Sequence, residues 1–204
     1  MNNRFFSKLA ASNIKKNGKA YIPYILSCVM TVALFYIVKS LSYNPGLKNM
    51  VGSSTMMTMM SMCSVIIALF AIVFLFYTNS FLMKRRKKEF GVFNILGMEK
   101  SHIAKTMAWE NFYVTLISIV GGLVIGLALD KAMFLLIAQV LNEEFTLGFF
   151  ISDKAIISTI VMFCIIFLLI LLNSIRQIHT ANPIELVTAG NAGEREPKTK
   201  WVLA

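Results

Sequence analysis

The side chains best suited to chemistry are two histidines, three cysteines and ten carboxylates, and they are scattered. His102 and His179 stand far apart, without the spacing of a metal-ligand pair. Cys28, Cys63 and Cys164 fall in three separate apolar runs with no C-x-x-C, a pattern that reads as buried packing. Met56, Met57, Met59, Met60 and Met62 are soft ligands for Cu(I), but no His or paired Cys stands near them, so they read as apolar filler. Glu143, Glu144 and Asp153 read as a solvated acidic loop. Glu110 and Asp130 bound an apolar run of about 30 Å as helix, so they read as carboxylates at opposite membrane interfaces rather than as a proton relay. No Ser/His/Asp or Cys/His set and no G-x-x-x-x-G-K-[ST] phosphate loop is present, so the chain reads as no enzyme and as holding no cofactor.

The chemistry that remains is recognition. Lys84-Arg85-Arg86-Lys87-Lys88-Glu89-Phe90-Gly91-Val92-Phe93-Asn94-Ile95-Leu96-Gly97-Met98 lies between two long apolar runs. Phe90, Phe93 and Leu96 recur at helical spacing, as do Val92, Ile95 and Leu96. Gly97 is the residue that most readily takes the left-handed conformation closing such a helix. Apolar side chains on the water side of a membrane mark a surface for a partner protein. On composition alone, a basic amphipathic helix equally fits a lipid surface or the chain's own helices.

The elements that must position this stretch are membrane spans. With 57% hydrophobic and 15% charged residues, the 204-residue chain is too apolar for a soluble domain. A net charge of +10 clusters beside the apolar runs, with no nucleic-acid motif, so nucleic acid is not an expected partner. Four runs, 20–38, 56–83, 107–129 and 155–175, reach the ~20 residues that cross a bilayer. The first is preceded by lysines yet is long and lacks a small-residue cleavage site, so it reads as a retained anchor. Counting Lys and Arg on the two sides of a four-span topology gives sixteen against four. That bias puts both termini and the 84–105 loop in the cytoplasm of a multi-pass cell-membrane protein. The expected fold is all-α: four transmembrane helices and an N-terminal amphipathic helix with Phe5, Phe6, Leu9 and Ile14 on the inner leaflet, in contact with plasma-membrane lipids.

Within the spans, Pro23 is expected in a first helical turn, and Tyr36 and Lys39 at the outer interface. Ser61, Ser64, Ala68 and Ala71 place small residues on one face of the second span. Gly121, Gly122 and Gly126 do so on the third, with G-x-x-x-G at the last two. The expectation is that these two faces pack together. Asn44-Pro45-Gly46 reads as a turn, 129–142 as either an extension of span three or an interfacial segment, and Asn191–Lys200 as a polar linker. Trp201-Val202-Leu203-Ala204 then looks like the opening of a further span, as if the chain were the front of something longer.

The core Arg85-Arg86-Lys87-Lys88-Glu89-Phe90-Gly91-Val92-Phe93-Asn94-Ile95-Leu96-Gly97 resembles the signature of FtsX-like ABC transporter permeases. Glu110, the Gly121–Gly126 cluster and Pro183-Ile184-Glu185-Leu186 also match that domain. Tyr77-Thr78-Asn79-Ser80-Phe81 followed by Lys84-Arg85-Arg86 and Leu96-Gly97-Met98 is similar to the bacitracin-export type of Gram-positive bacteria. The resemblance implies three regions: 1–55 with the amphipathic helix, first span and outer loop; 56–187 as the FtsX-like domain; and 188–204 as linker and start of a further span. It also implies a separate ABC ATP-binding subunit as partner, coupled through Glu89, Phe90, Gly91, Val92, Phe93, Ile95, Leu96 and Gly97. Members of this type have ten spans, two such domains and a large extracellular domain, so the remainder of a longer permease is a further expected partner. The function so implied is peptide-antibiotic resistance, ATP hydrolysis by the partner moving the helices of this chain. Alternative roles are a sensory scaffold signalling to a membrane histidine kinase, or a regulator of an extracellular cell-wall hydrolase.

Overall fold

A computed structural model describes residues 3–44, 52–95, 97–140 and 151–180. Five helices follow in order: α1 Asn3–Lys16, α2 Gly18–Tyr43, α3 Ser53–Ile95, α4 Lys100–Val140 and α5 Asp153–Thr180. No strand occurs among the described residues. Four of the helices are long and apolar enough to cross a membrane, over Gly18–Tyr43, Ser53–Arg86, Lys100–Met133 and Asp153–Ile178. The all-α, four-span expectation is therefore met. Pro45, Gly46, Leu96, Glu143, Glu144, the 183–186 motif and the whole tail from 181 lie outside the described residues.

The first span is the hub. α2 packs against α3, α4 and α5, while the backbones of α3 and α4 come close at few points. Cys28, Val32 and Phe35 of α2 enter one core with Ala71 and Leu75 of α3, Val114 and Ile119 of α4, and Phe163, Phe167 and Ile170 of α5. Phe35 meets Phe163 edge to face, centroids 5.9 Å apart. Pro23 falls in the second turn of α2 rather than the first, since the helix begins at Gly18. Tyr36, expected at the outer interface, is fully buried.

The glycines of α4 explain that burial and correct the expected pairing of the two small faces. A Cβ on Gly122 would stand 2.5 Å from Val32 Cβ and 3.0 Å from the Val29 carbonyl oxygen; one on Gly126 would stand 2.8 Å from Tyr36 Cδ1. Gly121 likewise meets Val29. The G-x-x-x-G face thus receives α2, not α3. The physical reason is fit: branched and aromatic side chains of α2 fill the trough the glycines leave, which another row of small residues would leave empty. On α3, Ala71 is buried and Ala68 packs against the same core, Ser64 is buried, and Ser61 is exposed.

Two further expectations change. The amphipathic α1 lays Phe6 and Ala10, both buried, against α4, with Ser7 Oγ 2.8 Å from Tyr113 Oη and Phe6 stacked on His102. Part of the face assigned to lipid is therefore covered by protein, while Phe5 remains half exposed. Of the cysteines only Cys28 is buried; Cys63 and Cys164 lie on exposed helix faces. Met56 and Met57 pack on Ile37 and Leu41, whereas Met59 and Met62 are exposed. The open question of 129–142 resolves as far as Val140, to which α4 runs unbroken.

Candidate functional site

The basic stretch is not a separate short helix. α3 is one helix of 43 residues, about 65 Å long, twice the hydrocarbon thickness. Its far end, a tight turn and the start of α4 form a helical hairpin standing beyond the span. The turn is dictated locally. Gly97 has φ +87°, and the Met98 N–H donates to the Phe93 carbonyl at 2.9 Å, the six-to-one bond of a Schellman cap. The Glu99 carbonyl then accepts from the N–H groups of His102 and Ile103 to open α4. The expected C-terminal role of Gly97 is what its backbone shows.

Inside the hairpin, Met83 and Phe90 of α3 pack with Ile103 and Met107 of α4 and Ile178 of α5; Phe93 and Met98 cover that cluster. Phe90 is 2% exposed and Gly91 is buried, whereas Val92 is 50% exposed. The aromatic half of the expected docking surface thus holds the hairpin's own helices together. Val92, Gly97 and Glu99 face outward at the tip. Ile95 ends α3, and Leu96 lies outside the described residues.

Behind the tip lies a buried polar knot. Arg86 and Glu110 form an ion pair, each side chain only 4% exposed. Arg86 Nη2 donates to Glu110 Oε1 at 2.9 Å, and Nη1 donates to Glu110 Oε2 and to Tyr21 Oη. Tyr21 Oη donates to Glu110 Oε2 at 3.0 Å, and Asn13 Nδ2 donates to Oε1 at 2.9 Å. Arg86 Nε also reaches Glu89 Oε2, which accepts from Asn17 Nδ2 at 2.9 Å. The guanidinium lies over the Phe90 and Tyr21 rings, 4.8 and 5.4 Å from their centroids. Glu110 thereby accepts four hydrogen bonds drawn from α1, α2 and α3. A buried pair needs that satisfaction, because taking two charges from water costs several kcal/mol per ion.

A cavity of about 30 Å³, room for about one water, adjoins the knot between Tyr24, Asn79, Asn111 and Ser174. Asn79 Nδ2 donates to Ser174 Oγ at 2.9 Å and Asn111 Nδ2 to the Phe167 carbonyl at 3.2 Å, which brings in α5. Residues of all five described helices therefore meet near Arg86, the end of the α3 span. The arrangement joins the base of the hairpin to the bundle through buried polar contacts.

The family model described as FtsX-like permease C-terminal matches residues 61–183. The chain belongs to the FtsX-like permease family. It is 32% identical over 197 residues to an uncharacterized ABC transporter permease, YvcS, of Bacillus subtilis (strain 168), covering 95% of this chain and 30% of that one. It is 25% identical over 192 residues to the bacitracin export permease protein BceB of the same organism, covering 94% of this chain and 30% of the relative. With BceB of Halalkalibacterium halodurans it shares 32% identity over 166 residues, 80% of this chain and 25% of that one. The chain spans 25% to 30% of the length of these relatives. In this FtsX-like permease the family match begins inside α3, so the central helix α2 lies outside it. The relatives align over nearly the whole chain.

Sequence reasoning missed the knot. Arg86 reads as one of five consecutive cations, and Glu110 as an interfacial carboxylate. A signal was available in Asn13, Asn17 and Tyr21, which recur every four residues and draw one polar stripe through the α1–α2 junction.

Proposed function

We propose that this chain is a membrane-spanning part of an ABC transporter permease of the bacitracin-export type, and that its α3–α4 hairpin receives the stroke of a separate ATP-binding subunit. The observation that carries the reading is the hairpin itself: two unbroken helices carry an exposed tip past the end of the α3 span, and the Arg86–Glu110 knot ties their base to α1 and α2. Motion imposed on the tip would be transmitted, because the lever is continuous and its root is clamped by bonded charge rather than by loose contact. The identity to the two bacitracin export permeases supports the type. The excess of Lys and Arg on the hairpin side supports a cytoplasmic tip and cytoplasmic termini.

Burial re-centres the coupling surface. Among the described side chains of Glu89–Gly97, Val92 is the exposed large apolar one that a groove on the ATPase could take up. Val92→Asp should cost ~2 kcal/mol or more of that association and so strip the ATP-binding subunit during co-purification, with the permease itself intact. Phe90→Ala acts instead by loosening the hairpin, and should make it protease-sensitive. Wild-type recovery of the ATPase by the Val92→Asp protein would overturn this assignment.

A further inference from the structure

A second feature at the basic end of the bundle is separate from the knot. A groove of about 370 Å³ runs between α2 and α3, lined by Lys19, Pro23, Ser27, Thr78, Phe81 and Arg85 among others. Lys19 stands at the start of the first span and Arg85 at the end of the second, so both lie at one membrane interface, on facing helices. Both are exposed. Neither forms an ion pair among the described residues, and no carboxylate lines the groove. The Arg85 guanidinium rests over the Phe81 ring, 4.7 Å from its centroid, which holds it at the rim.

Below these cations the trough suits hydrocarbon. Two of the three hydroxyls along it are spent on their own helices, Ser27 Oγ donating to the Pro23 carbonyl at 2.8 Å and Thr78 Oγ1 to the Phe74 carbonyl at 2.8 Å, and the third belongs to the buried Tyr24. Pro23 has no N–H to offer the Lys19 carbonyl, which leaves the mouth of the groove more polar than its floor. Two unpaired cations at the interface over an apolar trough inside the membrane describe a receptor for an amphiphile with an anionic head. A soluble anion would have no use for the trough, and a neutral lipid none for the cations.

We propose that this groove binds one anionic phospholipid of the adjoining leaflet, its phosphate held between Lys19 and Arg85 and an acyl chain lying along Pro23 and Phe81. The negative potential of an anionic leaflet draws the headgroup to paired cations. The lipid bridges α2 and α3 beside Arg86, at the level where the hairpin is clamped.

The test is native mass spectrometry of the protein released from nanodiscs of mixed phosphatidylglycerol and phosphatidylcholine. The wild-type protein should retain about one phosphatidylglycerol in preference to phosphatidylcholine. Lys19→Gln with Arg85→Gln should lower that retention by about tenfold or more, given the scale of two interfacial cations. The charge-matched Lys8→Gln with Lys15→Gln, two exposed lysines of α1, should leave it unchanged. Ser27→Trp keeps both cations but fills the trough, and should also lower retention; inorganic phosphate should not compete. Equal retention by the Lys19/Arg85 double variant overturns the proposal. So does displacement by inorganic phosphate, which would mark an anion site alone.

Discussion

Glu110 and Asp130 sit on the same helix, twenty residues and about 30 Å apart, and both are buried against α2, at 3% and 6% exposure. Their surroundings differ. Glu110 has a guanidinium, a phenol and an amide on its two oxygens. Asp130 has one bond, from Ser40 Oγ at 3.0 Å to Oδ2; its Oδ1 and the nearby Tyr36 hydroxyl have no partner among the described residues. Glu110, inner in the sense of lying at the hairpin end, bonds to three other helical segments. The outer one is pinned to α2 alone. The comparison teaches where the bundle is rigid: at the end that carries the hairpin, with a looser end opposite. A device that receives force at one end needs that end clamped and the other able to yield.

The comparison can be broken most directly at the inner end. Glu110→Gln leaves the buried Arg86 with only the part-exposed Glu89 as countercharge and should cost ~3 kcal/mol, read as a lower midpoint of detergent-induced unfolding. Arg86→Met together with Glu110→Leu should cost less than either single change, because no orphaned charge remains.

The region between the two carboxylates gives the next effect. Gly122→Leu drives a side chain into Val32 and the Val29 carbonyl, and should cost ~1–3 kcal/mol as overpacking. Val32→Ala should recover part of the loss if α2 is the partner; recovery by a change on α3 alone would restore the pairing that the sequence pattern favoured. The smallest effect belongs to the outer end. Asp130→Asn keeps an acceptor for Ser40 and removes a poorly matched carboxylate, so stability should move by less than ~1 kcal/mol. A loss as large as that at Glu110 would erase the distinction between the ends.

What was legible in the chain follows the same divide between local and tertiary causes. The spans were legible because length and apolarity act within a segment. So was the Gly97 cap, because a left-handed glycine ends a helix whatever lies around it. The glycines at 122 and 126 announced close approach but carry no information about which helix approaches, and the answer was α2. Phe90 and Val92 are both apolar neighbours in one periodic pattern; only the rotation of α3 against α4 decides that Phe90 turns inward and Val92 outward. Arg86 was hidden for a like reason. Within a run of five cations nothing local separates the one that is 3% exposed from its neighbours.

The account's central claim is that the inner pair, not the outer, clamps the hairpin to the spans. A double-mutant cycle measures it: Arg86→Met and Glu110→Leu, singly and together, beside Ser40→Ala and Asp130→Ala, with unfolding followed in the same bilayer mimic. Hydrogen-bonded pairs within membrane bundles average ~0.6 kcal/mol of coupling, and the outer pair should fall there. The inner pair should exceed ~2 kcal/mol, on the scale of a broken buried ion pair. Equal coupling at the two ends would contradict the account.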